Sequence, residues 1–502
     1  MVVVAVLAAG PALFTLFLLG HYFQADLSNF DPAFDFDQYI YVREAATFAA
    51  AGFDGGYYGG NGHVARIGRF GPHGPAYAVL YGGLARLFGG WRDALAPAVN
   101  LAVVTAALLA SARGLSLPVF AGLALALVLF PSAILYLPTA YQDPFQFVVG
   151  LLLALALAGL FRRAEKDGVA PPRHALAVAG LVLAAALTRP TWAALFPAVV
   201  FLGTPGRWRD MALSLVLGGA GLVLAYGLFS LTVPAWTVNA GPGYLTALAG
   251  GDPGPFVDVL SRNLAGLLDF ADNRDHFLTL LLMLCATALA VGLGGFGRTG
   301  RRLAAVHLCN MLLPLAAYVA VYTGSGRHLT RLLAAHFVLT LALAARSLPG
   351  RRPALVLAVT LGGGLGLLPM TLHTYTLFTR AAYEDIFDLR PRIEAFRRTT
   401  DPALSLTLSA RDPWQRTLAV AVGDLTVPFL GTPPAYGLEV YTRSGFEHPI
   451  KAGFVLLDAA GAAVAKTHTP LTVICDTPFG TLYRNDAAFG FAQPPQAVPA
   501  AR

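Results

Sequence analysis

This chain is short of charge. Of its 502 residues only 13% are Asp, Glu, Lys or Arg, against about 25% in an ordinary soluble protein, while 56% are apolar. Soluble domains of this combined length would lack the polar surface to cover themselves, and so high an apolar content excludes a disordered chain. Lysine is nearly missing: Lys166, Lys451 and Lys466 are the only ones, and arginine supplies the rest of the positive charge. Three cysteines, two of them (Cys285 and Cys309) inside apolar runs, exclude a disulfide framework. Glycine and proline are plentiful but follow no collagen-like period. The N-terminal run has no basic leading region and no small-residue cleavage site, and reads as a retained first span rather than a signal peptide. The net charge of +7 sits in short clusters between apolar runs, not in one basic stripe, which argues against a nucleic-acid partner. What remains is a polytopic, all-α membrane protein.

A span needs about 20 mostly apolar residues. About eleven candidates fit, at 2–23, 94–112, 115–137, 144–161, 175–187, 192–202, 211–233, 277–295, 303–322, 329–345 and 354–372. The pair on either side of Arg189-Pro190 is short and suggests a hairpin of half-length helices. One alternate set of short loops holds Arg113, Arg162, Arg163, Lys166, Arg173, Arg207, Arg209, Arg298, Arg301, Arg302, Arg346, Arg351 and Arg352; the opposite set holds only Arg189, Arg327 and Arg331. Positive loops stay in the cytoplasm, so the N-terminus is expected inside. The loops 22–93 and 234–276, and everything after 372, are then outside. The transmembrane part spans 1–372. Residues 373–502 read as a small extracytoplasmic α/β domain: a charged helix at 379–398, then β-like runs at 404–409, 417–422, 437–442, 452–458, 471–475 and 481–485, separated by turn signals such as Thr432-Pro433-Pro434. It closes with a Pro- and Ala-rich tail expected to be disordered.

The first outer loop carries the strongest chemical signal. Asp35 and Asp37 alternate on an extended segment, so both carboxylates point to one side. Residues 39–51 read as a helix ended by Gly52. A second helix starts at Pro75, with Tyr77, Leu80, Tyr81, Leu84, Leu87 and Phe88 on one face. It is too short to span and suits a helix lying on the outer membrane surface. Further on, Asp143 follows Tyr141-Gln142 and precedes Pro144 at the outer end of a span, and Leu187-Thr188-Arg189-Pro190-Thr191 separates the two short spans.

A first span, an outer loop with an acidic motif, two interface helices and a second span, in that order, resemble the start of GT-C glycosyltransferases. The matching residues are Asp35-Phe36-Asp37-Gln38-Tyr39 with Tyr41 and Ala45, then Gly74-Pro75-Ala76-Tyr77, then Tyr141-Gln142-Asp143-Pro144, then Leu187-Thr188-Arg189-Pro190-Thr191. The likeness is strongest to bacterial lipid A aminoarabinose, rhizobial lipopolysaccharide and protein-mannosyl transferases. It departs from the protein-mannosyl branch, which has Asp-Glu where this chain has Asp37-Gln38. The resemblance implies a GT-C-like fold and an enzyme of the bacterial cytoplasmic membrane. Its partners would be a polyprenyl-phosphate-linked sugar donor, a glycan or lipid acceptor, and membrane lipid.

Such a transfer displaces a phosphate at the anomeric carbon, and the acceptor must give up a proton to a carboxylate within reach. Asp37 is the candidate base, and Asp35 would orient the acceptor. No cofactor is required, although Asp35, Asp37 and Asp143 together could ligate a divalent cation. The leaving phosphate should meet a cation, for which Arg189 and the group Arg327, His328 and Arg331 are outer-facing candidates; Asp143, His73 and Tyr39 complete the substrate-binding set. Each residue also has a plain structural reading. Asp35 or Asp37 could cap the following helix, Asp143 could favour a helix N-terminus, and Arg189, Arg327 and Arg331 could anchor at the interface. Glu44 and Arg43 read as a solvated face, and His307 and Asn310 as one helix–helix hydrogen bond. Two other functions fit the same architecture: a flippase or transporter for polyprenyl-linked glycans, and a non-catalytic envelope-assembly protein. The topology is directly testable. Alkaline phosphatase fused after Leu372 should be active and a fluorescent-protein fusion there dark; the opposite pattern would invert the assignment.

Overall fold

The computed structural model describes residues 1–22, 94–232, 246–268, 274–321 and 326–377 continuously, with shorter stretches between 27 and 92 and between 406 and 486. Along the chain the helices are α1 (Val2–Phe17), α2 (Pro75–Leu87), α3 (Leu95–Ser111), α4 (Leu117–Val128), α5 (Pro131–Tyr136), α6 (Asp143–Asp167), α7 (Pro172–Thr188), α8 (Phe196–Leu202), α9 (Trp208–Thr232), α10 (Gly254–Leu268), α11 (Arg274–Gly294), α12 (Arg298–Val321), α13 (Gly326–Ser347) and α14 (Arg352–Leu377). Among the described residues seven helices (α1, α6, α9 and α11 to α14) are long and apolar enough to cross a membrane, and α3, α4, α7 and the segment Pro190–Leu202 are shorter apolar helices. The chain is a multi-pass membrane protein. It divides into two compact units, one of residues 1–27, 97–231 and 235–376, the other of 28–96, 232–234 and 377–502.

The first unit is the helical bundle. Its centre is α13, whose apolar window is 89% buried, against 22% for α9 and 28% for α1 and α14. In lipid there is little hydrophobic gain from bringing helices together, so close packing by small residues decides which of them touch. Gly150 shows this for α6 and α13: a Cβ there would stand 2.7 Å from the Ala335 carbonyl oxygen and 3.4 Å from the Trp192 ring. Only hydrogen fits.

Proline explains two breaks. The run 115–137, expected as one span, splits because Pro131 starts a new helix and Phe130 before it is extended (φ −72°, ψ 120°), the conformation a following proline imposes. At Arg189 the backbone is again extended (φ −153°, ψ 112°), and Pro190–Leu195 winds as a 3-10 turn before α8. The Ala170 N–H donates to the Leu202 carbonyl (3.0 Å), so the chain doubles back and the expected hairpin of short segments is present. Two further features differ from expectation. The segment 234–276, read as loop, contains α10, and Asn263 Nδ2 donates to the Val319 carbonyl of α12 (2.9 Å). Arg298, Arg301 and Arg302 lie in the first turns of α12 and not in a loop. Arg302 is fully buried, donating to the carbonyls of Ala164 (2.7 Å), Gly168 (2.5 Å) and Thr204 (2.9 Å) and to Glu165 Oε1 (3.0 Å). Its fork of donors satisfies carbonyls left free at helix ends, which binds three segments at one end of the bundle.

In the second unit the described residues of 41–49 are helical, and Gly52 takes φ +60°. Glu44, expected on a solvated face, is fully buried. Its spacing from Tyr41, Ala45 and Phe48 puts it on the packed side. The buried face of α2 is Tyr77, Ala78, Tyr81, Gly82 and Ala85. Leu80, Leu87 and Phe88, expected on the apolar face, are exposed. Small residues won that face because a Cβ at Gly82 would meet the Ala45 carbonyl at 2.5 Å. A short antiparallel pair joins β1 (Gly56–Tyr57) and β2 (Arg66–Ile67). Toward the C-terminus β3 (Leu406–Ser409), β4 (Leu438–Tyr441), β5 (Phe454–Leu457), the helix Ala459–Ala465, β6 (Leu471–Thr477) and β7 (Gly480–Asn485) form a mixed sheet of order β4-β3-β5-β7-β6. The β3 strand runs parallel to both neighbours and β7 antiparallel to both of its own. The expected helix at 379–398 and strand at 417–422 lie outside the described residues.

Because α6 and α13 meet this closely at Gly150, Gly150→Val should destabilise the solubilised protein by about 1–3 kcal/mol. Gly180→Ala, where nothing lies within 4 Å, should not; thermal melts in one detergent compare them.

Candidate functional site

Asp143 lies in the first turn of α6, with Pro144 beside it at the helix start, where the helix dipole favours a negative charge. It is fully buried. Its Oδ1 accepts from Arg189 Nη2 (2.8 Å) and its Oδ2 from Arg331 Nε (2.7 Å). Arg189 is itself only 8% exposed, and its Nη1 has no hydrogen-bond partner among the described residues. Arg331 also lies over the Tyr141 ring, 4.3 Å from its centroid, a favourable cation–π geometry. Tyr141 packs edge-on against Tyr136 (5.5 Å), and its N–H donates to Thr139 Oγ1 (3.2 Å). Asn100 Nδ2 donates to the Thr139 carbonyl (2.8 Å), which fixes this turn from α3.

Beneath this group lies a line of polar side chains, of which Gln146, Trp192, His336 and Thr340 were not selected by reasoning from sequence. Gln146, one turn after Asp143, accepts from Trp192 Nε1 (2.7 Å) and lies 3.3 Å from Thr188 Oγ1. His336 on α13 makes 2.9 Å contacts through both ring nitrogens, Nε2 with Thr191 Oγ1 and Nδ1 with Asn310 Oδ1. Its ring packs on Trp192 (4.2 Å). Asn310 Nδ2 donates to the His336 carbonyl (2.6 Å) and to Thr340 Oγ1 (3.0 Å). An ionisable group inside a span is a functional signal by default, and His336 carried that signal. Asn310 thus makes the helix–helix hydrogen bonds expected of it, whereas the His307 ring nitrogens have no partner among the described residues.

A polar recess opens beside Thr330, the residue before Arg331. Thr330 Oγ1 lies 3.0 Å from His276 Nδ1, and His276 Nε2 lies 3.4 Å from Asp275 Oδ2. Ser132, Tyr136, Thr279 and Thr374 also line it.

The other expected site residues divide between the second unit and segments not described. Asp35, Asp37 and Tyr39 lie outside the described residues. Arg327 and His328 fall in the first turn of α13, their side chains outside the description. His73 packs on Tyr41 (4.6 Å), which packs on Tyr77 (4.9 Å), which stacks on Tyr81 (4.2 Å). Burial pushes the Tyr77 and Tyr81 hydroxyls well above the ordinary tyrosine pKa, with Tyr81 and Tyr41 adding to the effect at Tyr77. These phenols stay neutral at any physiological pH.

The arrangement at Asp143 suits an anion. Both carboxylate oxygens are committed to guanidinium groups, so Asp143 is a poor metal ligand. Among the described residues no group of three or more His, Cys, Asp or Glu side chains could hold a metal ion.

No protein-family model and no curated protein sequence matches the chain. Solved structures of ArnT from Cupriavidus metallidurans do align with it. The one bound to undecaprenyl phosphate covers 96% of this chain and 98% of its own at 15% identity, with a TM-score of 0.40. The apo-state structure has the same coverage and identity, with a TM-score of 0.41.

Removing one partner from a buried ion pair strands the other charge, at about 3–5 kcal/mol. Asp143→Asn should therefore lower thermal stability in detergent sharply. Adding Arg189→Met should recover part of the loss, because the second substitution removes the cation that Asp143→Asn strands.

Proposed function

We propose that this protein transfers a sugar from a polyprenyl-phosphate donor to a cell-envelope glycan, lipid or glycolipid on the outer face of the bacterial cytoplasmic membrane. The observation that carries this reading is the buried guanidinium edge of Arg189 beside Asp143, whose Nη1 has no hydrogen-bond partner among the described residues. A desolvated cation of this kind calls for an anion, and arginine suits the bidentate geometry of phosphate. A polyprenyl phosphate brings such an anion to the end of a helical bundle while its chain lies among the spans. The order of acidic and basic motifs along the chain, with its GT-C resemblance, supports the same reading.

In the reaction, an acceptor hydroxyl or amine attacks the anomeric carbon while the bond from that carbon to the phosphate oxygen breaks. The acceptor's proton passes to Asp37, and Asp35 orients the acceptor. A single displacement inverts the anomeric centre. Arg189 and Arg331 stabilise the charge that builds on the leaving polyprenyl phosphate, while Asp143 holds the two guanidinium groups together at a spacing they would not keep alone. The N-terminus lies in the cytoplasm, and residues 373–502 form an α/β domain outside.

Asp37→Asn separates this function from its rivals. It should lower the transfer rate at least about 100-fold, with expression unchanged and undecaprenyl phosphate still bound. An unchanged rate would remove Asp37 from catalysis. A purified protein that moves polyprenyl-linked glycan across vesicles without transferring sugar would be a flippase.

A further inference from the structure

The turn that presents Arg189 is tied down on every side. Thr188 and Trp192 bond Gln146, Arg189 bonds Asp143, and Thr191 bonds His336. The hydrogen-bond roles at His336 can be assigned without ambiguity. A carbonyl only accepts, so the Asn310 atom 2.6 Å from the His336 carbonyl is the amide nitrogen, and Asn310 Oδ1 faces His336 Nδ1 as acceptor. His336 Nδ1 therefore carries a proton. In the neutral ring Nε2 is then an acceptor, and the Thr191 hydroxyl donates to it. His336 and Asn310 are fully buried, so nothing else competes for these atoms.

From this chain of assigned donors we infer that His336 is a positioning residue. Held as the Nδ1–H form by Asn310, it fixes Thr191, and through the Arg189–Trp192 turn it aims the unpartnered edge of Arg189 at the donor's phosphate. The inference rests on the phosphate-binding role proposed above. Pro190 opens the 3-10 turn with no N–H of its own to donate, and Thr191 directly after it is the side-chain anchor through which the orientation of the turn can be set. The Arg189 guanidinium is then pre-organised before the lipid arrives, and little of its rotamer freedom is lost on binding.

The test uses the full chain in detergent and two probes, undecaprenyl phosphate and undecaprenol, which share a chain and differ in the phosphate. Native mass spectrometry reads the preference for the phosphate over the alcohol. Thr191→Val keeps the shape and removes the donor; it should cut that preference about tenfold while undecaprenol binds as before. Thr191→Ser should restore the preference to within about twofold. Thr191→Ala serves in the same way if the valine variant does not fold. If the wild-type chain shows no preference for the phosphate, the phosphate reading itself fails. If the wild type prefers phosphate and the valine variant keeps the full preference, or loses both lipids alike, the positioning role of His336 is overturned and the phosphate reading stands.

Discussion

A fully buried carboxylate at the end of a membrane helix persists only if its charge is answered, and much of the bundle is arranged around how Asp143 is answered. Its two arginines come from different places, one from the interrupted segment at 189 and one from α13, so a single side chain draws three stretches of chain to one point. The Gly150 contact two turns further along α6 sets the approach of α6 and α13 at which the Arg331 bond can close. Gln146 lies between the two, on the same face of α6, and engages the same interrupted segment. Charge pairing, close helix packing and the helix break are therefore one constraint. A change to any of them moves the others.

The break at Arg189-Pro190 has a second consequence. Interrupting a helix inside a bilayer exposes backbone groups that lipid cannot satisfy. Here the side chains of Gln146, Thr191, Trp192 and His336 surround the interruption, and the polar cluster that results places a partly unsatisfied guanidinium among them. Such a cluster is unfavourable unless it is useful. In the proposed reaction its use is to hold positive charge where a phosphate departs. The charges on Arg298, Arg301 and Arg302 behave differently. They bind carbonyls at the ends of helices, and so close the opposite end of the same elements.

Much of this was legible in the sequence, and the failures have physical reasons. Apolar runs located the helices because length and hydropathy are local properties. The break at Pro131 was also local, written in the missing N–H and the extended residue before it, and was overlooked because the run looked apolar throughout. The packed face of α2 was not legible, because close approach selects the small residues Ala78, Gly82 and Ala85, which hydrophobicity does not rank, and leaves Leu80, Leu87 and Phe88 exposed. Asp143, Arg189 and Arg331 were each selected as polar groups on the sparsely charged side. Their union was not legible, because it joins residues 188 positions apart and periodicity carries no information about partners. The same limit hid the His336–Asn310–Thr191 chain, although a histidine in the middle of an apolar helix is itself a signal.

The central claim is that Arg189 and Arg331, held by Asp143, receive the phosphate of a polyprenyl lipid. The most direct measurement is an electron cryomicroscopy structure of the full chain with undecaprenyl phosphate. The account predicts phosphate density within hydrogen-bonding distance, about 3 Å, of Arg189 Nη1, with the Asp143 pairs intact. Phosphate density bound away from both arginines, with the Arg189 edge still unpartnered, would contradict it.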